Sequence, residues 1–232
     1  FNVEQLKWII NAYKNTVERF TNAEFPQDPY EQLMGSIEAV FNSWQNKRAA
    51  TYRKINNIPD EWGTGATVQT MVFGNLNDKS GTGVAFTRNP SNGLKELYGE
   101  YLINAQGEDV VAGIRTPHPI REDKNIEQES LESKFPNVYR DILEISTKLE
   151  NHFKEVQDIE FTIENENIYI LQTRKAKRTA QASVKVAVDM QKEGIVTKEE
   201  AVTMVDANNV TNLLHPQFVE SQKKDLLIKA LN

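Results

Sequence analysis

Two short strand-like segments in the second half of the chain constrain its fold more than any other feature. Gln157–Ile163 and Ile168–Thr173 are rich in Ile, Phe, Thr and Tyr, and polar side chains occupy alternate positions. The polar run Glu164–Asn167 between them is typical of a turn. The pattern predicts an antiparallel β-hairpin, in which successive side chains point to opposite faces.

The register of this hairpin decides which polar side chains meet. A three-residue loop, Asn165–Asn167, places Asp158 opposite Arg174 and Glu160 opposite Gln172 on one face. A two-residue loop would shift the register by one and put the two pairs on opposite faces. We expect the three-residue loop, because it also gathers apolar side chains on the other face. That face would carry Ile159, Phe161, Ile163, Tyr169, Leu171 and Thr173.

The polar face predicted in this way suits phosphoryl transfer. Mg²⁺ prefers oxygen ligands, with one or two from the protein and the rest from water and phosphate. Glu160 and the amide oxygen of Gln172 are candidates for these ligands, and the Arg174 guanidinium can neutralise phosphate charge. The alternative is a cross-strand salt-bridge ladder on a solvated sheet face, which is the more common arrangement on spacing alone.

Composition excludes several other classes of protein. The chain has 232 residues, of which 39% are hydrophobic and 26% are charged, as in an ordinary globular protein. It has no Cys, so disulfides, thiolate zinc sites and cysteine nucleophiles are excluded, and a reducing compartment fits. The net charge of −6 and the lack of a basic run argue against nucleic-acid binding. No apolar stretch of about 20 residues is present, so we expect no membrane span.

Periodicity divides the chain into three parts. Residues 1–60 have apolar side chains at three- and four-residue spacing, which predicts helices, with Asp28 as the cap of the second. Residues 61–175 are mainly strands and turns, with one helix near 136–153. Residues 176–232 return to helix, and Thr197–Glu200 is a capping-box signature. A strand region between helical blocks predicts an α+β fold.

Two further motifs are candidates for ligand contacts. Ser80–Gly83 has the glycines that let a backbone approach phosphate, but a simple hairpin turn is the favoured interpretation. Glu108 follows Gly107 in a predicted turn that either aims its carboxylate at a metal or ribose hydroxyl, or is merely solvated. The sequence leaves these two interpretations of Glu108 about equally supported.

Several strings of residues resemble the pyruvate phosphate dikinase family nearly residue for residue. They are Asp158–Thr162, Leu171–Arg174, Val68–Asn75, Ser80–Pro90, Gly99–Pro117 and Lys177–Ala182. The resemblance runs from about Phe25 to the end of the chain and keeps the order of the motifs. Phosphoenolpyruvate synthases and rifampin phosphotransferases share only a looser skeleton of these motifs. The chain therefore resembles the C-terminal part of the dikinase ATP-grasp domain and the helical segment after it.

The resemblance implies a fold and an activity. It implies an α+β ATP-grasp C-terminal lobe at 61–175, a helical segment of the same domain at 1–60, and a helical linker toward a phosphohistidine domain at 176–232. The parent enzyme would be a cytoplasmic homodimer that interconverts ATP, phosphate and pyruvate with AMP, diphosphate and phosphoenolpyruvate. It would use Mg²⁺ and usually a monovalent cation, with ATP as substrate.

The resemblance also assigns roles to individual residues. Arg174 would be catalytic, and Glu160 and Gln172 would hold the metal. Asp158, Glu160, Gln172 and, less directly, Glu108 would bind the nucleotide.

The sequence leaves two alternative functions open, and it departs from the family pattern in one respect. One alternative is a phosphotransferase similar to phosphoenolpyruvate synthase, and the other is a non-catalytic scaffold fragment. The earlier lobe, which carries a phosphate-binding Lys and Arg in this family, is not in the sequence. We therefore expect this chain to turn over no ATP by itself.

Overall fold

A computed structural model describes residues 1–113, 115–122 and 128–213. The chain forms two compact units, Phe1–Thr70 and Met71–Asn232. The division into 1–60, 61–175 and 176–232 stays a prediction, and residues 214–232 of its last part lie outside the described residues.

The first unit is helical. Its elements are α1 (Val3–Thr21), α2 (Pro29–Ser43), α3 (Lys47–Ile55) and a 3-10 turn at Asp60–Trp62. The Asp28 carboxylate accepts hydrogen bonds from the backbone N–H groups of Tyr30 (2.7 Å) and Glu31 (3.2 Å). These bonds satisfy donors that have no partner within the helix, so the predicted cap of α2 is confirmed.

The second unit is built on a five-stranded antiparallel sheet. Its strands are β1 (Gly81–Phe86), β2 (Tyr98–Ile103), β3 (His118–Pro119), β4 (Gln157–Glu164) and β5 (Asn167–Lys175). Their order across the sheet is β3-β2-β1-β4-β5, and every neighbouring pair is antiparallel. The sheet and the surrounding helices confirm the α+β class.

In the described part of the chain, six helices of the second unit lie between or after the strands. One of these lies between β2 and β3, two between β3 and β4, and three after β5. They are α4 (Gly107–Ala112), α5 (Leu131–Lys134), α6 (Pro136–Phe153), α7 (Ala180–Lys192), α8 (Lys198–Thr203) and α9 (Ala207–Leu213). The predicted capping box of α8 is confirmed, because the Thr197 hydroxyl accepts from the Glu200 N–H and the Glu200 carboxylate from the Thr197 N–H. Within the described ranges, no helix combines the length and the apolar character that crossing a membrane requires.

One face of the sheet is covered and the other is polar. Ile159, Phe161 and Ile163 of β4 are fully buried and share a core with Val138 and Ile142 of α6. Burying a side chain of this size contributes about 1.5–3 kcal/mol, so this face is occupied by packing. A second core holds α7 against the end of the sheet and consists of Val156, Ala176, Val186, Met190 and Val196. The polar face of β4 is the one that remains for chemistry.

The glycines of Ser80–Gly83 do not form the predicted turn. Gly81 begins β1, and Gly83 lies inside that strand. A Cβ atom on Gly83 would come within 2.6 Å of both the Glu100 carbonyl oxygen and the Phe161 ring. Glycine is required here because neighbouring strands and the core ring approach the backbone closely, which the sequence pattern alone does not distinguish from a turn.

The β4–β5 loop is shorter than predicted. Glu164 pairs with Asn167, so the loop has two residues, Asn165 and Glu166, with φ angles of 49° and 64°. Positive φ at both central residues is the signature of a type I′ turn. The predicted three-residue loop is wrong, because the structure uses a tight turn together with an irregularity farther along β5.

That irregularity is a β-bulge at Leu171. Glu160 pairs with Gln172, whereas Phe161 pairs with Ile170, so Leu171 is an extra residue on β5. The extra residue shifts the register by one between the turn and the open end of the hairpin. The open end therefore has the pairing that was predicted, and the turn end does not.

The bulge changes which β5 side chains reach each face near the turn. Ile168 and Ile170 pack against the core. Tyr169 pairs with Thr162 and is 43% exposed on the polar face. The prediction that Tyr169 lies on the apolar face is therefore wrong.

Candidate functional site

The hairpin brings the four predicted polar side chains together. Asp158 pairs with Arg174 and Glu160 pairs with Gln172, in the register that the sequence predicted. Asp158 and Glu160 share a face because they are two residues apart on β4. Two carboxylates, an amide and a guanidinium therefore occupy adjacent rows of one sheet face.

Arg174 is held by one side of its guanidinium. Its Nε donates to Asp158 Oδ2 at 2.7 Å, and its Nη2 lies 3.8 Å from Glu160 Oε1. The Arg174 side chain is 59% exposed, whereas that of Asp158 is 10% exposed. The hydrogen bond from Arg174 to Asp158 raises the pKa of Arg174, so the guanidinium stays charged. The terminal nitrogens make no hydrogen bond to the described residues, so they retain donors for an anionic ligand.

Glu160 and Gln172 fit a magnesium ion by the chemistry of their donors. They are opposite each other in the ladder, so both side chains lie on the polar face, and each carries an oxygen that can bind a metal ion. Within the described residues, no group of three or more His, Asp or Glu side chains is arranged to hold a metal. A site of two protein oxygens completed by water and phosphate is what Mg²⁺ favours, so the pair remains suitable.

Glu108 lies on a different element from the hairpin pairs. It is in the first turn of α4 and exposed, and its carboxylate has no hydrogen-bond or ion-pair partner among the described residues. The neighbouring Asp109 accepts from the Gln106 N–H at 2.9 Å and caps this helix. The structure therefore assigns Asp109 to capping, and no contact among the described residues joins Glu108 to the Asp158–Arg174 pair.

The polar face extends across β1 and β2 beyond the predicted residues. Val84 and Glu100 continue the row of Glu160, and Phe86 and Tyr98 continue the row of Asp158. The side chains on this part of the face border a cleft of about 410 Å³. Sequence reasoning missed these residues because strand order decides which of them are neighbours. Alternation within β1 and β2 predicts only which side chains share a face of each strand.

A segment before β1 is fastened to the turn end of the same hairpin. The Phe73 N–H donates to Glu164 Oε2 at 2.6 Å, and Asn77 donates to Asn165 Oδ1 at 2.7 Å. The Glu166 N–H donates to the Lys79 carbonyl at 2.9 Å. Glu164 shares the polar face with Glu160, so this segment borders the candidate site at the turn end of β4.

Comparison with known proteins gives one matching family and several close relatives. The model of the family described as "Pyruvate phosphate dikinase, AMP/ATP-binding domain" matches residues 22–141 and 124–195. A pyruvate, phosphate dikinase of Clostridium symbiosum is 52% identical over 216 residues, covering 93% of this chain and 24% of the relative. One from Rhizobium meliloti (strain 1021) is 52% identical over 223 residues, covering 94% of this chain and 25% of the relative.

A plant relative is similar over nearly the same region. Pyruvate, phosphate dikinase 1, chloroplastic, of Arabidopsis thaliana is 49% identical over 213 residues, covering 92% of this chain and 21% of the relative. The chain thus spans about a quarter of the length of the relatives that it matches.

Proposed function

The chain belongs to the pyruvate phosphate dikinase AMP/ATP-binding domain family, and from that membership we propose that it is part of a longer pyruvate phosphate dikinase. In this proposal residues 61–175 form the C-terminal lobe of an ATP-grasp domain, which binds ATP and Mg²⁺. The lobe takes part in phosphorylating a histidine of a separate domain, on the way to phosphoenolpyruvate. The whole enzyme interconverts ATP, phosphate and pyruvate with AMP, diphosphate and phosphoenolpyruvate.

The observation that carries the proposal is the grouping of Asp158, Glu160, Gln172 and Arg174 on one sheet face. A non-catalytic scaffold has no use for two carboxylates beside an amide and a half-exposed guanidinium. A phosphoryl-transfer site needs this combination, because oxygen ligands hold the metal and a fixed cation binds the transferred group.

We assign Arg174 to the phosphate oxygens. Its Nε bond to Asp158 fixes the plane of the guanidinium, and its terminal N–H groups then approach two oxygens of one phosphoryl group or one oxygen on each of two. Because Asp158 is largely buried, it holds this orientation before the ligand arrives. Preorganised donors stabilise developing charge without reorganisation at the moment of reaction.

Glu160 and Gln172 are the residues that would hold Mg²⁺. When bound, the ion would neutralise charge on the phosphate oxygens and orient them. Glu160 lies 3.8 Å from Arg174 Nη2, so its carboxylate is not committed to the guanidinium by a close ion pair. Gln172 adds an oxygen without adding charge, so Asp158, Glu160 and Arg174 leave the group with a net charge of −1 that favours a cation.

The partners and setting in this proposal come from the same family membership. They are ATP, phosphate and the phosphohistidine domain of the same enzyme, with a homodimeric, cytoplasmic parent. The half-exposed face of Glu160 and Arg174 is compatible with such an arrangement, since a second domain and a nucleotide both need access to it.

Calorimetric titration with ATP and Mg²⁺ tests the proposal. The full-length protein that contains this segment should bind ATP in a Mg²⁺-dependent manner, and Glu160→Ala should remove most of the Mg²⁺ dependence. A scaffold would bind no ATP, and a site elsewhere in the protein would leave the titration unchanged in the variant.

A further inference from the structure

A cavity of about 420 Å³ lies against α6, on the side of the sheet that the helices cover. One wall is a stripe of α6 side chains at three- and four-residue spacing, formed by Tyr139, Leu143, Ser146, Thr147 and Glu150. The other walls come from residues that flank β1, β2 and β3 and from α5. A cavity of this size accommodates a small organic molecule.

This cavity is separate from the polar face of the hairpin. Leu97, which lines it, belongs to the core that contains Ala85 and Ile159. Helix α6 packs on the same core, whereas Glu160 and Arg174 lie on the opposite face of the sheet. Neither Glu160 nor Arg174 is among the residues that line the cavity. A ligand bound here would therefore leave the candidate phosphoryl site unobstructed.

The charged side chains around the cavity largely neutralise one another. Three of them are in ion pairs: Arg121 with Glu96 (2.9 Å), Lys95 with Glu193 (2.7 Å) and Glu150 with the buried Arg88 (2.9 Å). Glu132 is held differently, because its carboxylate accepts from the Glu122 N–H at 3.2 Å. An anionic ligand would meet three lining carboxylates, and a cationic ligand would meet two lining cations. A single charged group on a ligand therefore has no strongly favoured position.

The cavity offers hydrogen-bonding capacity rather than net charge. Ion-paired Arg and Lys side chains keep further N–H donors, and each carboxylate oxygen accepts more than one hydrogen bond. The Ser146 side chain is only 6% exposed, and its hydroxyl has no hydrogen-bond partner in the part of the chain that the structure describes. Buried hydroxyls normally have a partner. Burial and the Glu132 carboxylate raise the pKa of Tyr139, so its phenol stays protonated and both donates and accepts.

We infer that this cavity binds a small neutral molecule with several hydroxyl groups, of the sugar or polyol class. A hydroxyl both donates and accepts, so one such ligand satisfies the cations, the carboxylates and the Ser146 hydroxyl without introducing a charge. Its carbon atoms would rest against Leu97, Leu143 and the ring of Tyr139. The inference does not depend on the proposed ATP site.

Saturation-transfer NMR with the full-length protein tests the site. The sugar probes are D-glucose and D-ribose, and the open-chain polyol probes are sorbitol and glycerol. At least one of the four should bind. Binding of the sugars alone would assign a ring-shaped ligand, and binding of sorbitol or glycerol would assign an open-chain polyol.

Thr147→Trp is the variant that blocks the cavity. Thr147 is exposed at its edge, and its hydroxyl bonds the Leu143 carbonyl within α6, so the larger side chain enters the cavity without disturbing the core. Saturation transfer to the bound probe should disappear. Lys148→Trp is the matched control, because it adds the same ring at the next exposed residue, which does not line the cavity.

Ser146→Ala is the second variant and removes the unpartnered hydroxyl. Loss of one neutral hydrogen bond should weaken binding of the probe about three- to tenfold. Ser36→Ala, at an exposed position of α2, makes the same chemical change away from the cavity and should have no effect.

Each contrary result overturns the inference. It is refuted if none of the four probes binds, or if binding survives Thr147→Trp, which would place the probe elsewhere. Succinate and putrescine serve as charged probes, and tighter binding of either that Thr147→Trp abolishes would show that the cavity takes a charged ligand. If Lys148→Trp removes binding as well, Ser146→Ala decides, and unchanged affinity in that variant refutes the site.

Discussion

Arg174→Lys separates a phosphate-binding role of this side chain from a purely structural one. Lysine keeps the positive charge but replaces a planar fork by a single ammonium group. Among the described residues, Nε of Arg174 makes the one hydrogen bond of this side chain, and Nη2 has only a longer 3.8 Å ion pair with Glu160. A ligand held by the terminal nitrogens would therefore lose those contacts in the Lys variant. Hydrogen bonds to charged groups contribute about 1.5–3 kcal/mol each. Loss of one such bond in the transition state therefore corresponds to roughly a 10- to 160-fold lower rate.

The expected effect on stability is much smaller. The Arg174 side chain is 59% exposed, and an exposed ion pair contributes under about 1 kcal/mol. For a domain of this size that corresponds to a shift in Tm of at most about 4 °C. Lysine also retains the charge, which preserves part of the attraction to Asp158.

A single-turnover assay measures the rate at which the full-length enzyme phosphorylates its histidine from ATP, and calorimetry gives the Tm of the same samples. Arg140→Lys is the matched control, because Arg140 lies on α6, is 65% exposed and has, among the described residues, a single 3.8 Å ion pair with Asp141. The opposite result would be a lower Tm for Arg174→Lys together with a normal rate in its folded fraction. In that case the Arg174–Asp158 ion pair only stabilises the hairpin, and the catalytic assignment of Arg174 is wrong.

Three further predictions concern the metal pair, the isolated chain and a buried ion cluster. Glu160→Ala or Gln172→Ala should abolish most of the ATP half-reaction and spare the one between phosphohistidine and pyruvate; equal loss of both, measured separately, would indicate misfolding. Residues 1–232 alone should show cooperative unfolding but no ATP turnover, so measurable phosphoryl transfer by the isolated chain would contradict the need for an earlier lobe. Arg88 is fully buried and hydrogen-bonded to Glu150 (2.9 Å) and Glu193 (2.8 Å), so Glu150→Ala should lower the free energy of unfolding by about 3 kcal/mol in urea denaturation. An unchanged midpoint would show that Glu193 alone satisfies Arg88.

Local patterns in the sequence were sufficient to predict the main helices and strands and the polar pairs of the β4–β5 hairpin. Alternation along β4 identifies Asp158 and Glu160 as neighbours on one face, and three- and four-residue spacing identifies α6. The caps at Asp28 and Thr197 follow from side chains that satisfy nearby backbone groups. Each of these features depends on residues within a few positions of one another, which is why sequence reasoning reaches them.

Register beyond the bulge was decided by tertiary packing. A two-residue turn with Leu171 as an extra residue gives the same pairing at Arg174 as a three-residue turn without a bulge. The two possibilities differ only near the turn, where the core accepts Ile168 and Ile170 and leaves Tyr169 outside. Both isoleucines and the tyrosine are good strand formers, so local preference cannot choose among them.

The neighbours of the site were also decided by the tertiary structure. Gly83 lies against Phe161, and Val84 lies between Glu160 and Glu100, because β1 inserts between β2 and β4. Those contacts join residues that are far apart in the chain, and only the strand order determines them. The sequence by itself determined which side chains could take part in phosphoryl chemistry. The packing of distant strands determined which of them share a surface, since backbone pairing and core burial must be satisfied for all five strands at once.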